Sequence, residues 1–205
     1  MNLTYAYIES MDYFATMELE EEPQVEGDLV KDHTLISIKD MQQALELKGY
    51  GEVTQKKFFL KPFESLYLLF TDKLKLKKAK KTVDFDSLMK ICKKYDKDIL
   101  TKFLIYRDLR NRGYIVKNGF GFGYDFRVYE RGHFGEKGAK YLIFGMNEGT
   151  QEKIIHIQKK IEQITQMGKE PIIAVIERRG EIIYYKISQI NFLENKEKIN
   201  LQSFK

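Results

Sequence analysis

Residues 106–132 contain the pattern that most restricts how this chain can fold. Basic and apolar residues alternate in helical fashion up to Gly113, and a glycine at that place is typical of a helix end. Two runs rich in aromatic and β-branched residues follow, at 114–116 and 126–129, and three closely spaced glycines separate them. Strand-forming runs around a glycine-rich turn predict a β-hairpin. A helix that leads directly into a hairpin indicates a mixed α/β unit.

The remainder of the second half continues the same pattern. Residues 141–144 predict a third strand, and residues 150–167 carry isoleucines at helical spacing, which predicts an amphipathic helix. Two further strands, 171–176 and 181–185, are expected to pair as a hairpin across residues 178–180. Together these elements predict a mixed sheet covered by a helix.

The first half predicts a separate α/β domain. Helices are expected after residue 37, at Pro62, after an N-capping Asp84 and over residues 96–113, with a strand at 57–60. A chain of 205 residues is long enough to bury two small cores. The fold class is therefore mixed α/β (α+β) with two small domains, residues 1–97 and residues 98–205, the second one nuclease-like.

Charge points to an acidic partner. The chain carries a net charge of +5 and has a pI of about 9.0, which favours association with nucleic acid. Residues 73–81 contain six lysines; they form either a solvated loop, which we favour, or a contact with RNA.

Several classes of protein are excluded or disfavoured. The single cysteine, Cys92, excludes a disulfide framework and a multi-cysteine zinc site, and it is expected to be a buried core thiol. No apolar run reaches about 18 residues, and residues 1–22 are acidic, so neither a membrane span nor a signal peptide is expected. The expected location is cytoplasmic.

Metal and cofactor chemistry has little support in the pattern. The three histidines show no ligand spacing, and Asp125 has no second carboxylate on the next strand, where a metal-dependent nuclease would need one. The glycine-rich turn lacks the lysine and hydroxyl of a phosphate-binding P-loop. No metal site and no cofactor are therefore expected.

Acid–base chemistry on RNA remains open. A ribose 2′-hydroxyl can attack its own phosphate if a base removes its proton, an acid protonates the leaving oxygen and a cation stabilises the phosphorane. Tyr129, His133 and Lys169 are side chains of the types that such a site needs. Spacing alone does not single them out.

The chain resembles the archaeal tRNA-splicing (tRNA-intron) endonuclease family over nearly its whole length. The resemblance lies in the order and spacing of the following segments: 48–52, 60–69, 106–117, 122–132, 141–143, 173–176 and 180–185. It implies cleavage of precursor tRNA at bulge–helix–bulge intron junctions without a metal, leaving 2′,3′-cyclic phosphate and 5′-hydroxyl ends. It also implies a homo- or hetero-oligomer with a related subunit.

The resemblance assigns roles to individual residues. Tyr129 falls on the catalytic tyrosine, the base toward the 2′-hydroxyl, and Lys169 falls on the lysine that stabilises the phosphorane. Arg127 and Arg131, in the same motif as the tyrosine, are candidates for binding RNA.

Three positions depart from the family pattern. The catalytic histidine position falls on Gly138, an arginine that grips RNA falls on Glu162, and the loop at 177–180 is basic where family assembly uses an acidic loop. His133 is a possible substitute for the missing histidine. The alternatives are a non-catalytic, structural subunit of a heterotetrameric enzyme, or a basic RNA-binding protein with no nuclease role. The last is favoured if Tyr129 and Lys169 prove far apart or buried.

Ile187, Ile190 and Phe192 follow the last predicted strand. They are expected either to complete the core or to contact a neighbouring subunit.

Overall fold

A computed structural model describes residues 24–119 and 123–188. The chain divides into two compact units, Met1–Ile115 and Val116–Lys205. This confirms the mixed α/β fold class, since each unit combines a sheet with at least one helix.

The first unit contains a six-stranded sheet with the order β3-β4-β2-β1-β5-β6. Its strands are β1 (Val25–Val30), β2 (His33–Ile36), β3 (Glu52–Thr54), β4 (Lys57–Leu60), β5 (Leu74–Lys78) and β6 (Lys81–Thr82). Strand β1 lies between β2, with which it is antiparallel, and β5, with which it is parallel. The predicted strand at 57–60 is confirmed as β4.

Within residues 24–115, the same unit has four helices: α1 (Lys39–Leu47), α2 (Pro62–Phe70), α3 (Phe85–Cys92) and α4 (Ile99–Asn111). Pro62 opens α2, and the carboxylate of Asp84 accepts a bond of 2.8 Å from the Ser87 amide at the start of α3. Both start signals read from the sequence are confirmed. Gly49 follows α1 with a φ of +75°, where a side chain would be strained and would meet Ile115.

The prediction of a solvated loop over residues 73–81 is wrong. Most of the segment forms β5, a turn with positive φ at Ala79 and Lys80, and the start of β6. Leu74 and Leu76 are buried while the lysine between them is exposed. Alternation of apolar and charged side chains is the pattern of a half-buried strand, and it outweighs the high lysine content.

Helices α2 and α4 pack together through aromatic side chains. The Tyr106 ring lies 4.9 Å from that of Phe63 and 5.6 Å from that of Tyr67, measured between centroids. Beside them, Glu64 is only 1 % exposed, and its carboxylate accepts bonds from the amides of Gly51 and Lys61. Cys92 is a buried free thiol, as expected.

The second unit contains a five-stranded sheet with the order β11-β10-β9-β8-β7. Its elements are β7 (Ile115–Asn118), β8 (Phe126–Tyr129), β9 (Tyr141–Asn147), α5 (Ile154–Gln166), β10 (Glu170–Ile176) and β11 (Ile182–Lys186). Strands β9 and β10 are parallel and α5 connects them, whereas β8 runs antiparallel to β9 and β11 runs antiparallel to β10. The helix covers one face of the sheet, where Leu142, Phe144, Ile164 and Ile173 form the core with Tyr124.

The domain boundary at 97/98 stays a prediction. The two compact units divide after Ile115 because α4 packs against α2 in the first unit. Ile187 packs against the core of the second unit, whereas Ile190 and Phe192 lie outside the described residues, as do residues 1–23. Among the described residues, no helix combines the length and apolar character needed to cross a bilayer.

Candidate active site

One edge of the second sheet gathers the residues that the sequence selected. Because β9 and β10 are parallel and β8 is antiparallel to β9, the end of β8 meets the starts of the other two strands. Val128 pairs with Tyr141, and Tyr141 pairs with Glu170. One residue further along, Tyr129, Lys140 and Lys169 therefore form a row across three adjacent strands.

Backbone hydrogen bonds extend the ladder to this row. The Lys140 amide donates to the Val128 carbonyl, and the Glu170 amide donates to the Lys140 carbonyl, both at 3.0 Å. Neighbouring strands are about 4.8 Å apart, so the backbones of Tyr129 and Lys169 are separated by about 10 Å. Lys140 stands on the strand between them.

Tyr129 is held by its strand and by a ring contact. Its neighbour Val128 is 1 % exposed and anchors the end of β8, while Tyr129, on the other face, is half-buried. The Phe134 ring stands nearly perpendicular to the Tyr129 ring, at 88°, with 5.0 Å between centroids. The phenol is thus oriented at the sheet edge without being enclosed.

Lys169 is placed by the end of α5. Gly168 has a φ of +66°, in the left-handed region, and the Lys169 amide donates to the Ile164 carbonyl at 3.2 Å. The chain reverses there and enters β10 at Glu170. This helix-end turn delivers a half-buried lysine to the same edge as Tyr129.

Gly138 lies directly against the lysine. A Cβ atom built at Gly138 would be 3.3 Å from Lys169 Nζ. Any side chain at this position would therefore touch the ammonium group. The resemblance assigned Gly138 to the histidine position, and that assignment stays a prediction.

His133 belongs to the loop that connects β8 to β9. Its carbonyl accepts bonds from the amides of Glu136 and Lys137, and its own amide donates to the Glu130 carbonyl. Imidazole Nδ1 is shielded from solvent and lies 3.7 Å from a carboxylate oxygen of Glu136. The contacts of His133 are thus within its own loop, and its role as a substitute acid stays a prediction.

Lys140 and Glu130 add an ion pair to the row, which sequence reasoning did not select. The Lys140 ammonium donates to the Glu130 carboxylate. That hydrogen bond raises the pKa of Lys140 and lowers the pKa of Glu130, so both groups stay charged. A lysine immediately before a buried strand was the available signal, but only the register shows that it stands between Tyr129 and Lys169.

The remaining candidate side chains have structural contacts. Arg127 Nε donates to the Asn118 carbonyl at 3.0 Å and so ties β8 to the end of β7. Arg131 is exposed in the turn after Glu130. Asp125 accepts a bond of 2.8 Å from the Gly145 amide on β9. The binding of RNA by Arg127 and Arg131 stays a prediction.

Two of the departures from the family pattern lie elsewhere in the unit. The Glu162 carboxylate accepts a hydrogen bond from the Gln158 side chain, one turn earlier on α5. In the loop after β10, the Arg178 amide donates to the Glu148 carboxylate at 3.0 Å.

Chemically, the row offers the phenol of Tyr129 and the ammonium group of Lys169. The adjacent position, Gly138, has no side chain. Within residues 24–119 and 123–188, no group of three or more His, Cys, Asp or Glu side chains is arranged to hold a metal ion. The phenolate form of a tyrosine can act as a base, and an ammonium can stabilise a phosphorane.

Comparison with known proteins gives the same picture for both halves. Residues 25–89 match the N-terminal domain of tRNA intron endonuclease, and residues 99–184 match its catalytic C-terminal domain. The tRNA-splicing endonuclease of Methanococcus vannielii is 33% identical over 163 residues, which cover 79% of this chain and 92% of the relative.

Two further relatives have the same description. The tRNA-splicing endonuclease of Thermococcus onnurineus is 32% identical over 154 residues, covering 75% of this chain and 89% of the relative. That of Pyrococcus horikoshii is also 32% identical over 154 residues, with the same coverage. The match to the N-terminal domain ends at residue 89, and the match to the C-terminal domain begins at residue 99. The chain belongs to the tRNA intron endonuclease family.

Proposed function

We propose that this chain is a subunit of a tRNA-splicing endonuclease, which cleaves precursor tRNA at bulge–helix–bulge intron junctions. Family membership and the names of the relatives support the activity and the substrate. The observation that carries the residue assignment is the row of Tyr129 and Lys169 at one sheet edge, with Gly138 against the lysine.

In the proposed reaction, Tyr129 removes the proton from the 2′-hydroxyl at the junction. The 2′-oxygen attacks the adjacent phosphorus, and the bond from phosphorus to the 5′-oxygen breaks. The products are a 2′,3′-cyclic phosphate and a 5′-hydroxyl. Lys169 stabilises the negative charge that develops on the phosphorane, and no metal ion takes part.

The leaving 5′-oxygen needs a proton. The histidine position holds Gly138, and loss of a general acid typically costs on the order of 10²–10⁴ in rate. Without a partner subunit, this chain is then expected to be a slow nuclease, in which water or His133 supplies the proton to the leaving oxygen.

The same glycine favours a second candidate, a structural subunit of a heterotetrameric enzyme. In that assembly a related subunit carries the complete set of catalytic side chains, and this chain supports it. The third reading, an RNA-binding protein without a nuclease role, would be favoured if Tyr129 and Lys169 were far apart or buried. Both residues are half-buried, and the strand register favours their proximity.

The test is cleavage of a bulge–helix–bulge RNA in EDTA by this chain alone and with a catalytic family subunit. Tyr129→Phe and His133→Ala are measured beside the wild type. Slow cleavage by the chain alone that disappears in Tyr129→Phe supports the catalytic proposal, and its loss in His133→Ala identifies the proton donor.

Cleavage only after addition of the second subunit, unaffected by both substitutions, supports the structural role. Tight binding of the RNA without cleavage in any combination contradicts both candidates. Size-exclusion chromatography with light scattering tests the proposed homo- or hetero-oligomer in the same samples.

A further inference from the structure

A short hairpin of β5 and β6 forms one edge of the first sheet. Strand β6 is last in the sheet order and pairs with β5 through Lys78 and Lys81. Ala79 and Lys80 form the turn between the strands, with φ values of +47° and +68°. Positive φ at both central residues is characteristic of a type I′ turn, in which asparagine and glycine are preferred. Here a lysine occupies the second central position instead.

The lysines nearer the start of β5 have acidic neighbours. In the register of β1 and β5, Glu26 lies beside Lys75. Asp28 lies beside Lys77, and the Lys77 ammonium donates to the Glu26 carboxylate at 3.1 Å. Strand β1 therefore compensates the positive charge on this part of β5.

The turn end of the hairpin carries three lysines in a different setting. Lys78, Lys80 and Lys81 are exposed, and within residues 24–119 and 123–188 none of them forms an ion pair. Lys78 lies directly opposite Lys81 across the two strands, and like charges in this arrangement repel each other. The next acidic residue along the chain, Asp84, accepts the capping bond from the Ser87 amide. An anion held between the lysines would relieve their repulsion.

The exposure of these lysines indicates which kind of anion they suit. A small anion at an exposed site keeps most of its contact with water, and a single exposed charge pair contributes little to affinity. A polyanion with closely spaced phosphates engages several ammonium groups at once and releases its condensed counterions. Lysine binds phosphate as a point charge, and contacts with phosphates carry no sequence information.

We infer that Lys78, Lys80 and Lys81, which we call the basic tip, contact the phosphate backbone of the RNA substrate. The inference rests on the proposed function, because that function makes precursor tRNA the polyanion that this chain meets. It adds a binding surface in the first unit, whereas the candidate catalytic row belongs to the second unit. The basic tip holds the RNA by charge and selects no sequence.

The test is fluorescence anisotropy of the full chain with a labelled bulge–helix–bulge RNA. The RNA has 2′-deoxyribose at both junctions, which removes the attacking hydroxyl and prevents cleavage during the titration. Changing all three lysines of the basic tip to glutamine should weaken binding about tenfold at about 50 mM salt. The slope of log K against log salt concentration should become shallower by about 2–3, because each lost phosphate contact removes about 0.9. A plain RNA duplex should show the same losses.

The matched control is the triple variant Lys93→Gln, Lys94→Gln and Lys97→Gln. It removes the same charge from exposed lysines of the first unit, which lie between α3 and α4 close to Asp96 and Asp98. Its affinity for RNA should stay within about twofold of the wild type. Changing the basic tip to three arginines should also preserve the affinity, because the charge is kept.

Lysines at a sheet edge can also oppose pairing with the edge of another chain. Light scattering on the same samples measures such association. Lys80→Gln separates the two roles, because Lys80 lies in the turn and outside both strands; it should weaken RNA binding about two- to threefold. Association of the triple variant, together with wild-type affinity for RNA in Lys80→Gln, overturns the inference.

The remaining outcomes separate this inference from the proposed function. RNA binding by the wild type that the basic-tip variant does not weaken, or that the control weakens equally, overturns the inference and leaves the proposed function intact. Absence of RNA binding by the wild type, alone and with a catalytic family subunit, contradicts both. Weakening confined to the basic-tip variant supports the inference, even where an all-ribose RNA is not cleaved and the proposed activity fails.

Discussion

The two units use polar side chains in opposite ways. In the first, Thr34, Glu64 and Ser65 are at most 1 % exposed, and their oxygen atoms are hydrogen-bonded to backbone amides or to one another. In the second, Tyr129 and Lys169 stand half-buried at strand ends, where a substrate could reach them. Buried, paired polar groups fix a fold, whereas polar groups at a sheet edge are available for chemistry.

This difference predicts two signatures. Substitutions in the first unit should change the free energy of unfolding, and substitutions in the row should change the rate of cleavage. The largest effect is expected where the row is incomplete.

Gly138→His should raise single-turnover cleavage of a bulge–helix–bulge RNA by about 10²–10⁴-fold, because it restores a general acid beside Lys169. The added Cβ would lie 3.3 Å from Lys169 Nζ, at the end of a flexible side chain that can move slightly. Gly138→Ala is the control, since it adds the same Cβ without the imidazole. Equal rates for the two variants would contradict the assignment of this position.

In the Gly138→His background, Lys169→Met should lower the cleavage rate by about 10²–10³-fold, because the developing phosphorane charge loses its cation. The melting temperature should stay unchanged, since Lys169 is half-buried at a sheet edge. Lys159→Met, on the exposed side of α5, is the matched control. A loss of stability that accounts for the lost activity would remove Lys169 from the chemistry.

Glu64→Gln should lower the free energy of unfolding of the first unit by about 1–3 kcal/mol. The amide cannot accept both the Gly51 and Lys61 bonds as the buried carboxylate does. Cys92 is the single cysteine of the chain and lies in the first unit, so it reports on this unit alone. Burial is the largest cause that raises the pKa of its thiol, to about 12. The thiol is therefore expected to react with alkylating reagents only when the unit unfolds.

Labelling of Cys92 in increasing urea measures the effect. Glu46→Gln, at an exposed position of α1, should leave the labelling midpoint unchanged. A shift of the same size in both variants would mean that the hydrogen bonds of Glu64 contribute nothing specific.

The smallest effect concerns the cap of α3. Hydrogen bonds from Ser87 lower the pKa of Asp84 below its ordinary value of 3.8. A lowered pKa means that the ionised cap stabilises the fold above pH 3.8 and loses this contribution as the pH falls through the lower, folded-state value. Asp84→Ala should therefore be less stable than wild type at neutral pH, and the gap should narrow in acid.

Melting temperatures of the wild type and of Asp84→Ala, measured from neutral pH to about pH 3, give this difference in stability at each pH. Asp86→Ala, in the first turn of the same helix but without the capping bond, is the comparison. A pH-independent difference for Asp84→Ala would show that the cap acts without its charge.

Local pattern was a good guide to the elements. The Phe126–Tyr129 strand, the Pro62 helix start, the Asp84 cap and the last hairpin are all confirmed. The lysine-rich strand β5 was missed because charge was given more weight than the alternation of Leu74 and Leu76. For the site, the family resemblance named Tyr129, Lys169 and Gly138, but Lys140 and its partner Glu130 went unselected.

By itself, the sequence determined the family and the helices and strands whose local signals are strong, because periodicity, caps and turn residues act within a few positions of the chain. Tertiary structure alone decided which strands became neighbours and in what register. Register depends on pairing between distant segments, and a shift of one residue would move side chains to the other face of the sheet. That register places Tyr129, Lys140 and Lys169 in one row, and the turn after α5 sets the lysine against Gly138.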